Sequence, residues 1–204
     1  GSLPEMTGDL AAASPRWAQM LASVRTVGTQ AAQFWLDRSF ADLGWDAKVA
    51  EHNNPAAIPK GPLRSVMTGF AEPLDTVADM SHLIPVEDWK GKQPASVAYF
   101  CSPAPDGQTL DRFKTQVRDW VDRDLPALWP KADPMPFHGG GFDDQYFRVN
   151  MQGSERYVLS VRGSLYHRLA PGESGFYNLV LAGDWTRCGL NAGCVEGATM
   201  SGLA

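Results

Sequence analysis

Asp184 closes the run Leu179-Val180-Leu181-Ala182-Gly183, and a carboxylate at the carboxyl end of a buried strand stands where open α/β sheets place ligand-binding groups. Such a carboxylate accepts hydrogen bonds from sugar-alcohol hydroxyls. Gly189 and Gly193 follow, and glycines let a ligand approach the backbone closely. From about Ala192 the pattern turns helical, and a helix start offers unpaired N–H groups and a positive dipole end to anionic or carbonyl oxygens. Trp185, directly after Asp184, can stack on a planar ring or wall a channel. A strand, turn and helix with no ligand would show the same pattern.

Other residues with chemical potential lack the partners their chemistry needs. His138-Gly139-Gly140-Gly141 matches an esterase oxyanion loop, but no G-x-S-x-G elbow accompanies it, so it reads as a flexible turn. Cys188 and Cys194 are separated by five residues, which fits neither a zinc knuckle nor a CxxC pair, and they read as free thiols. His52, His82, His138 and His167 are scattered without metal-ligand spacing, so no metal site is expected. Arg168, in LYHRLAP, and Arg162 read as surface or ion-pair residues.

The elements that must position these groups are legible in part. Ser14-Pro15 marks a helix start, running to about Val24. Residues 26–36 read as a strand, 44–62 as a Pro-bearing loop, and 63–71 and 95–101 as two further strands. Leu110, Phe113, Val117, Trp120, Val121, Leu125 and Leu128 recur at helical spacing and predict one buried face, capped by Thr109 or Asp111 and bent or ended at Pro126 and Pro130. Residues 146–151 and 157–161 read as strands, paired as a hairpin around Gln152-Gly153. Leu179-Val180-Leu181-Ala182 reads as a strand buried on both faces. Trp17, Trp35, Trp45, Trp89, Trp120 and Trp129 are expected to fill the core, with Tyr99, Phe100, Tyr166 and Tyr177 as further candidates to line a channel.

Composition sets the outer bounds. The 204 residues suit one large domain or two small ones, and 44% are hydrophobic. Eighteen Lys and Arg stand against 23 Asp and Glu, a net charge of -5, which argues against a nucleic-acid surface. No stretch reaches the roughly 20 apolar residues that span a bilayer. The first residues lack the basic and apolar regions of a signal peptide. With three cysteines and no Asn-x-Ser/Thr sequon, a cytoplasmic setting is expected. Gly1-Ser2 reads as the scar of an expression tag, and an ending inside a helical pattern reads as a piece of a longer chain.

NLVLAGDWT followed by GCVEGATMSG resembles the C-terminal FAD-binding signature of the flavin-dependent amine oxidase and phytoene desaturase superfamily. The matching residues are Gly183-Asp184, Val195-Glu196-Gly197-Ala198 and Ser201-Gly202. TQAAQFWLDRSFADLGW, EPLDTVADMSHLIPVEDW and SERYVLSV are similar, more loosely, to the substrate half of bacterial members. The resemblance implies an FAD-dependent oxidoreductase that moves hydride from a substrate C–H bond to flavin. It implies that Asp184 holds the ribityl chain, that the Val195 amide faces flavin O2, and that Gly183, Trp185, Gly193, Cys194 and Glu196 complete the cofactor edge. Glu196 is expected to serve as a cap in the first helical turn, and Cys188 as a conceivable point of covalent flavin attachment.

Two departures shape the expectation. Where amine oxidases place an aromatic cage residue, this chain has Cys194, which shifts the expected substrate from an amine to an apolar molecule, as in the desaturase branch. The GxGxxG loop that binds the FAD pyrophosphate in this family is missing, since Gly139-Gly140-Gly141 is followed by Asp144 where the third glycine belongs. The implied fold is α/β (α+β mixed). Residues 1–170 form part of a mixed-sheet substrate-binding domain, and residues 171–204 the strand-turn-helix of a Rossmann-like FAD-binding domain. A second chain or a homo-oligomer would supply the GxGxxG half, and this chain alone would be inactive. The alternative is a non-catalytic C-terminal module, or split subunit, that binds a partner or an apolar ligand.

Overall fold

The computed structural model describes residues 7–45 and 66–204. The loop expected over 44–62 therefore lies almost wholly outside the described residues. In chain order the elements are helices α1 (Gly8–Ala13) and α2 (Pro15–Ser23) and strands β1 (Thr26–Val27), β2 (Thr29–Leu36), β3 (Val66–Met67), β4 (Thr76–Asp79) and β5 (Ser96–Pro103). Helices α3 (Leu110–Arg123) and α4 (Leu125–Leu128), strands β6 (Tyr146–Asn150) and β7 (Tyr157–Val158), and helix α5 (Val195–Leu203) follow.

Two compact units result. One, Gln30–Pro103 with Gly107–Val149, holds an antiparallel five-stranded sheet in the order β3-β4-β5-β2-β6. Val77 is opposite Phe100 in the β4–β5 register. The sheet expected to be mixed is thus antiparallel. Strand alternation turns Ala32, Phe34 and Leu36 of β2 toward one buried face. The Phe34 ring lies 5.5 Å from that of Phe100 and 5.4 Å from that of Phe137.

Helix α3 closes this core as its spacing predicts, burying Phe113, Val117, Trp120 and Val121. Thr109 Oγ1 caps its start by accepting from the Arg112 N–H at 3.3 Å. The apolar face outlives the helix: the chain breaks at Asp124, and α4, with Pro126 in its first turn, adds buried Leu125 and Leu128. Leu110, at the open end of that face, is exposed. Trp120 also donates its indole N–H to Ala71 O at 3.0 Å, so its polar edge is satisfied inside the core.

The other unit comprises Gly1–Thr29, Ala104–Asp106 and Asn150–Ala204, so residues 171–204 share it with α1, α2 and the β1–β7 pair. Trp17 and Met20 of α2 pack with Leu169 and Leu181. The Trp17 indole N–H donates to Ser174 O at 2.7 Å.

Three local readings are corrected. Strands β6 and β7 do not pair with each other: β6 joins β2, and β7 pairs antiparallel with β1, Thr26 opposite Val158. The Arg156 guanidinium fixes that choice by bonding Thr26 O at 3.1 Å, Thr26 Oγ1 at 3.0 Å and Met151 O at 3.2 Å. Leu179-Val180-Leu181-Ala182 forms no strand: Leu181 is buried but Val180 is 81% exposed. No strand pairs with it among the described residues, so its backbone turns to local loop partners, Leu181 N–H donating to Pro171 O at 2.9 Å. Helix α5 starts at Val195 rather than near Ala192, because Cys194 stands as an extended N-cap.

Candidate functional site

The Gly183-Asp184-Trp185 turn is tied to α5 by a small hydroxyl circuit. Gly183 N–H donates to Ser201 Oγ at 3.1 Å, and Thr186 Oγ1 lies 2.8 Å from both Gly183 O and Ser201 Oγ. One hydroxyl proton serves one acceptor, so Thr186 donates to Gly183 O while Ser201 donates to Thr186, closing the ring. Both hydroxyl residues are buried, and the circuit leaves none of these atoms unpaired. Gly183 has φ +133°, and the Trp185 indole occupies the space a Cβ would need. Only glycine fits there.

The carbonyl of Asp184 is held by Arg168, which is 1% exposed. Its Nη1 donates to Asp184 O at 2.8 Å, and its Nη2 to Leu159 O at 3.2 Å and Ser160 Oγ at 3.1 Å. Its Nε has no partner. Burial pushes the guanidinium below its usual pKa, while the Asp184 and Cys188 charges act in the opposite sense. Sequence reading placed Arg168 on the surface or in an ion pair. It is instead a buried clamp on backbone carbonyls, and a lone arginine in LYHRLAP carries no local signal of that role.

With its backbone pinned on both sides, Asp184 keeps a half-buried carboxylate that makes no hydrogen bond or ion pair among the described residues. Asp184 and Trp185 line a cavity of about 650 Å³, whose walls include Met20 and Val24 at the end of α2, Thr26 of β1, and Arg156 and Tyr157. Arginine, carboxylate and apolar atoms thus share one concave surface, the mixture expected where a few polar groups orient an otherwise apolar ligand.

The start of α5 is the second part of the site. Cys194 Sγ accepts from Gly197 N–H at 3.3 Å, while Cys194 O accepts from Ala198 N–H at 3.1 Å. Val195 is 79% exposed, and Glu196 stands exposed in the first turn, where its charge suits the dipole. A Cβ on Gly193 would come within 2.7 Å of the Tyr157 ring and 2.9 Å of Val158 O, so glycine is required by close packing on β7. Gly183, Gly193, Cys194, Val195 and Glu196 are not among the cavity's lining residues. The structure therefore joins the seven candidates through Ser201 but presents two of them, Asp184 and Trp185, to the cavity.

Among the other candidates, His52 lies outside the described residues and His138 takes a structural role. His138 Nδ1 and Lys92 Nζ each lie 2.9 Å from Asp37 Oδ1, and together they hold that carboxyl below its usual range. Gln145 Nε2 donates to His138 O at 3.1 Å and Gly141 O at 2.8 Å, pinning the HGGG turn. Trp17, Trp120 and Trp129 are fully buried, as is Phe100, whereas Tyr166 and Tyr177 are exposed. Among the described residues no three His, Cys, Asp or Glu side chains gather as a metal site needs, and no helix is long and apolar enough to cross a membrane.

No protein-family model matches the sequence, and no curated protein matches it. Among solved structures the chain is similar to an oxidoreductase from Methanosarcina mazei, with 11% sequence identity and a TM-score of 0.52. The match covers 94% of this chain and 36% of that one. The chain thus has the fold of part of an oxidoreductase structure and spans about a third of its length.

Proposed function

We propose, from this likeness to part of an oxidoreductase, that the chain is the C-terminal portion of an FAD-dependent oxidoreductase, desaturase-like rather than built around an amine cage. The observation that carries the proposal is Asp184, half-buried, its carboxylate making no hydrogen bond or ion pair among the described residues, in the lining of a cavity of about 650 Å³. A carboxylate there is a ready acceptor for the hydroxyls of a ribityl chain, and the adjacent Trp185 indole offers a flat apolar surface to a ring. The donor set therefore fits the sugar-alcohol end of a flavin, while the pyrophosphate end has no GxGxxG loop in this sequence.

A bound flavin would supply the hydride acceptor for a substrate C–H bond. The chain's own part is to hold and orient. Arg168 and the Ser201–Thr186 circuit fix the backbone on either side of Asp184, which sets where its side chain leaves the chain. The start of α5, through the Val195 amide, is proposed to stabilise negative charge on the reduced ring. Cys194 in place of an aromatic cage residue, and the apolar residues of α2 along the cavity, favour an apolar substrate. The GxGxxG half is proposed to come from the rest of an intact protein or from a second chain. Tyr177, Val180 and Leu203 are each exposed apolar side chains that it would cover.

The test is absorbance between about 300 and 550 nm before and after adding FAD, where bound flavin gives bands at about 370 and 450 nm. Riboflavin is the sharper probe, because it keeps the ribityl chain and ring but lacks the pyrophosphate. Saturable quenching of tryptophan fluorescence by riboflavin, weakened about tenfold in Asp184→Ala for loss of hydrogen bonds to a charged group, is the expected result. No binding of either compound, or equal binding by Asp184→Ala, sinks the reading.

A further inference from the structure

Cys188 and Cys194 come together beside Gly197 in the first turn of α5. A Cβ on Gly197 would meet Ala192 O at 2.7 Å, Cys194 Sγ at 3.6 Å and Cys188 Sγ at 3.8 Å, so both sulfurs and that carbonyl close on the glycine from the same side. Each is held there by the backbone: Cys194 Sγ accepts from Gly197 N–H at 3.3 Å, and Cys188 Sγ from Asn191 N–H at 3.4 Å. Asn191 Oδ1 in turn accepts from Cys188 N–H at 2.9 Å, closing a reciprocal turn that fixes the first cysteine. Asn191 is also the one non-glycine residue with positive φ among the described residues, at 52°, so the loop is shaped to return Cys188 toward the helix start. All three cysteines are half-buried, and Cys101 stands apart on the sheet, its thiol pushed up in pKa mainly by burial.

We propose that Cys188 and Cys194 form a redox-active dithiol, a modification site that a low-molecular-weight disulfide closes to an intrachain disulfide. One thiolate attacks the reagent's S–S bond and releases one reagent thiol. The second thiolate then attacks the mixed disulfide and releases the other, so that two protein thiols and one reagent disulfide become one protein disulfide and two reagent thiols. The closed loop is short, and the bond joins the glycine-bearing loop to the N-cap of α5. The proposal does not depend on flavin binding.

Oxidised dithiothreitol on the native chain tests it. Thiols counted after quenching and denaturation should fall from three to one, and from two to none in Cys101→Ser, while Cys188→Ser keeps both of its thiols. No Lys or Arg follows Arg187, so trypsin leaves residues 188–204 as one peptide carrying both cysteines, which should become lighter by two hydrogens. At a fixed ratio of oxidised to reduced reagent, folding should favour the disulfide by about tenfold over the same chain in urea. An unchanged thiol count, a disulfide that includes Cys101 or links two chains, or an equal oxidised fraction in urea would overturn it.

Discussion

Arg168 shows what a single buried side chain does when it bonds backbone rather than a carboxylate. Three oxygens depend on its two terminal nitrogens, and truncation would leave the carbonyls of Asp184 and Leu159 without those donors. Arg168→Met is expected to cost about 3 kcal/mol, because unsatisfied buried acceptors carry their full desolvation penalty. Urea unfolding of the two proteins measures it, and a loss within error would show that water replaces the guanidinium. Gly193→Ala is a second residue-scale case. Its Cβ meets backbone at Val158 O, which cannot swing away as a side chain could, so a loss of about 1–3 kcal/mol is expected from overpacking.

At the scale of elements, Glu173 links α2 to the segment after the Asp184 turn. Its Oε2 receives Arg187 at 2.7 Å, Arg16 at 3.2 Å and the Ala170 N–H at 3.2 Å. The Ala170 N–H does most to hold its carboxyl below its ordinary pKa, with the two arginines adding to it. A depressed folded pKa means the stabilising contribution is present above the unfolded value and is lost as pH falls through the folded one. Wild type should therefore lose its advantage over Glu173→Gln in acid below about pH 4.5, read as a converging pair of urea midpoints across that range. Midpoints that stay parallel would mean the charge contributes nothing. Residues 146–151 and 157–161 have the turn chemistry of a hairpin, but Arg156 binds Thr26 of β1, 130 residues distant in sequence, and β7 pairs there instead.

At the scale of the molecule, the five-stranded sheet and its aromatic core lie within Gln30–Pro103 and Gly107–Val149, their hydrophobic cluster drawn wholly from that unit. A fragment of residues 30–149 is expected to fold alone, giving a cooperative unfolding transition and near-UV dichroism from buried Trp120 and Trp129. A fragment that stays unfolded would mean the sheet needs the remainder of the chain.

The sequence by itself determined the amphipathic face of α3, the helix start at Ser14-Pro15 and the location of β2 and β5, and narrowed the α3 cap to Thr109 or Asp111, because spacing, capping and strand composition act over a few residues. It also singled out Gly183 and Asp184 as a turn, since a glycine and a carboxylate after an apolar run have few other uses. Tertiary structure alone decided the rest. Leu179-Val180-Leu181-Ala182 has the composition of a strand, yet a strand exists only where a neighbour accepts its backbone hydrogen bonds. Arg168, Thr186 and Ser201 likewise acquired their roles from partners brought close by folding, which no local pattern in the chain announces.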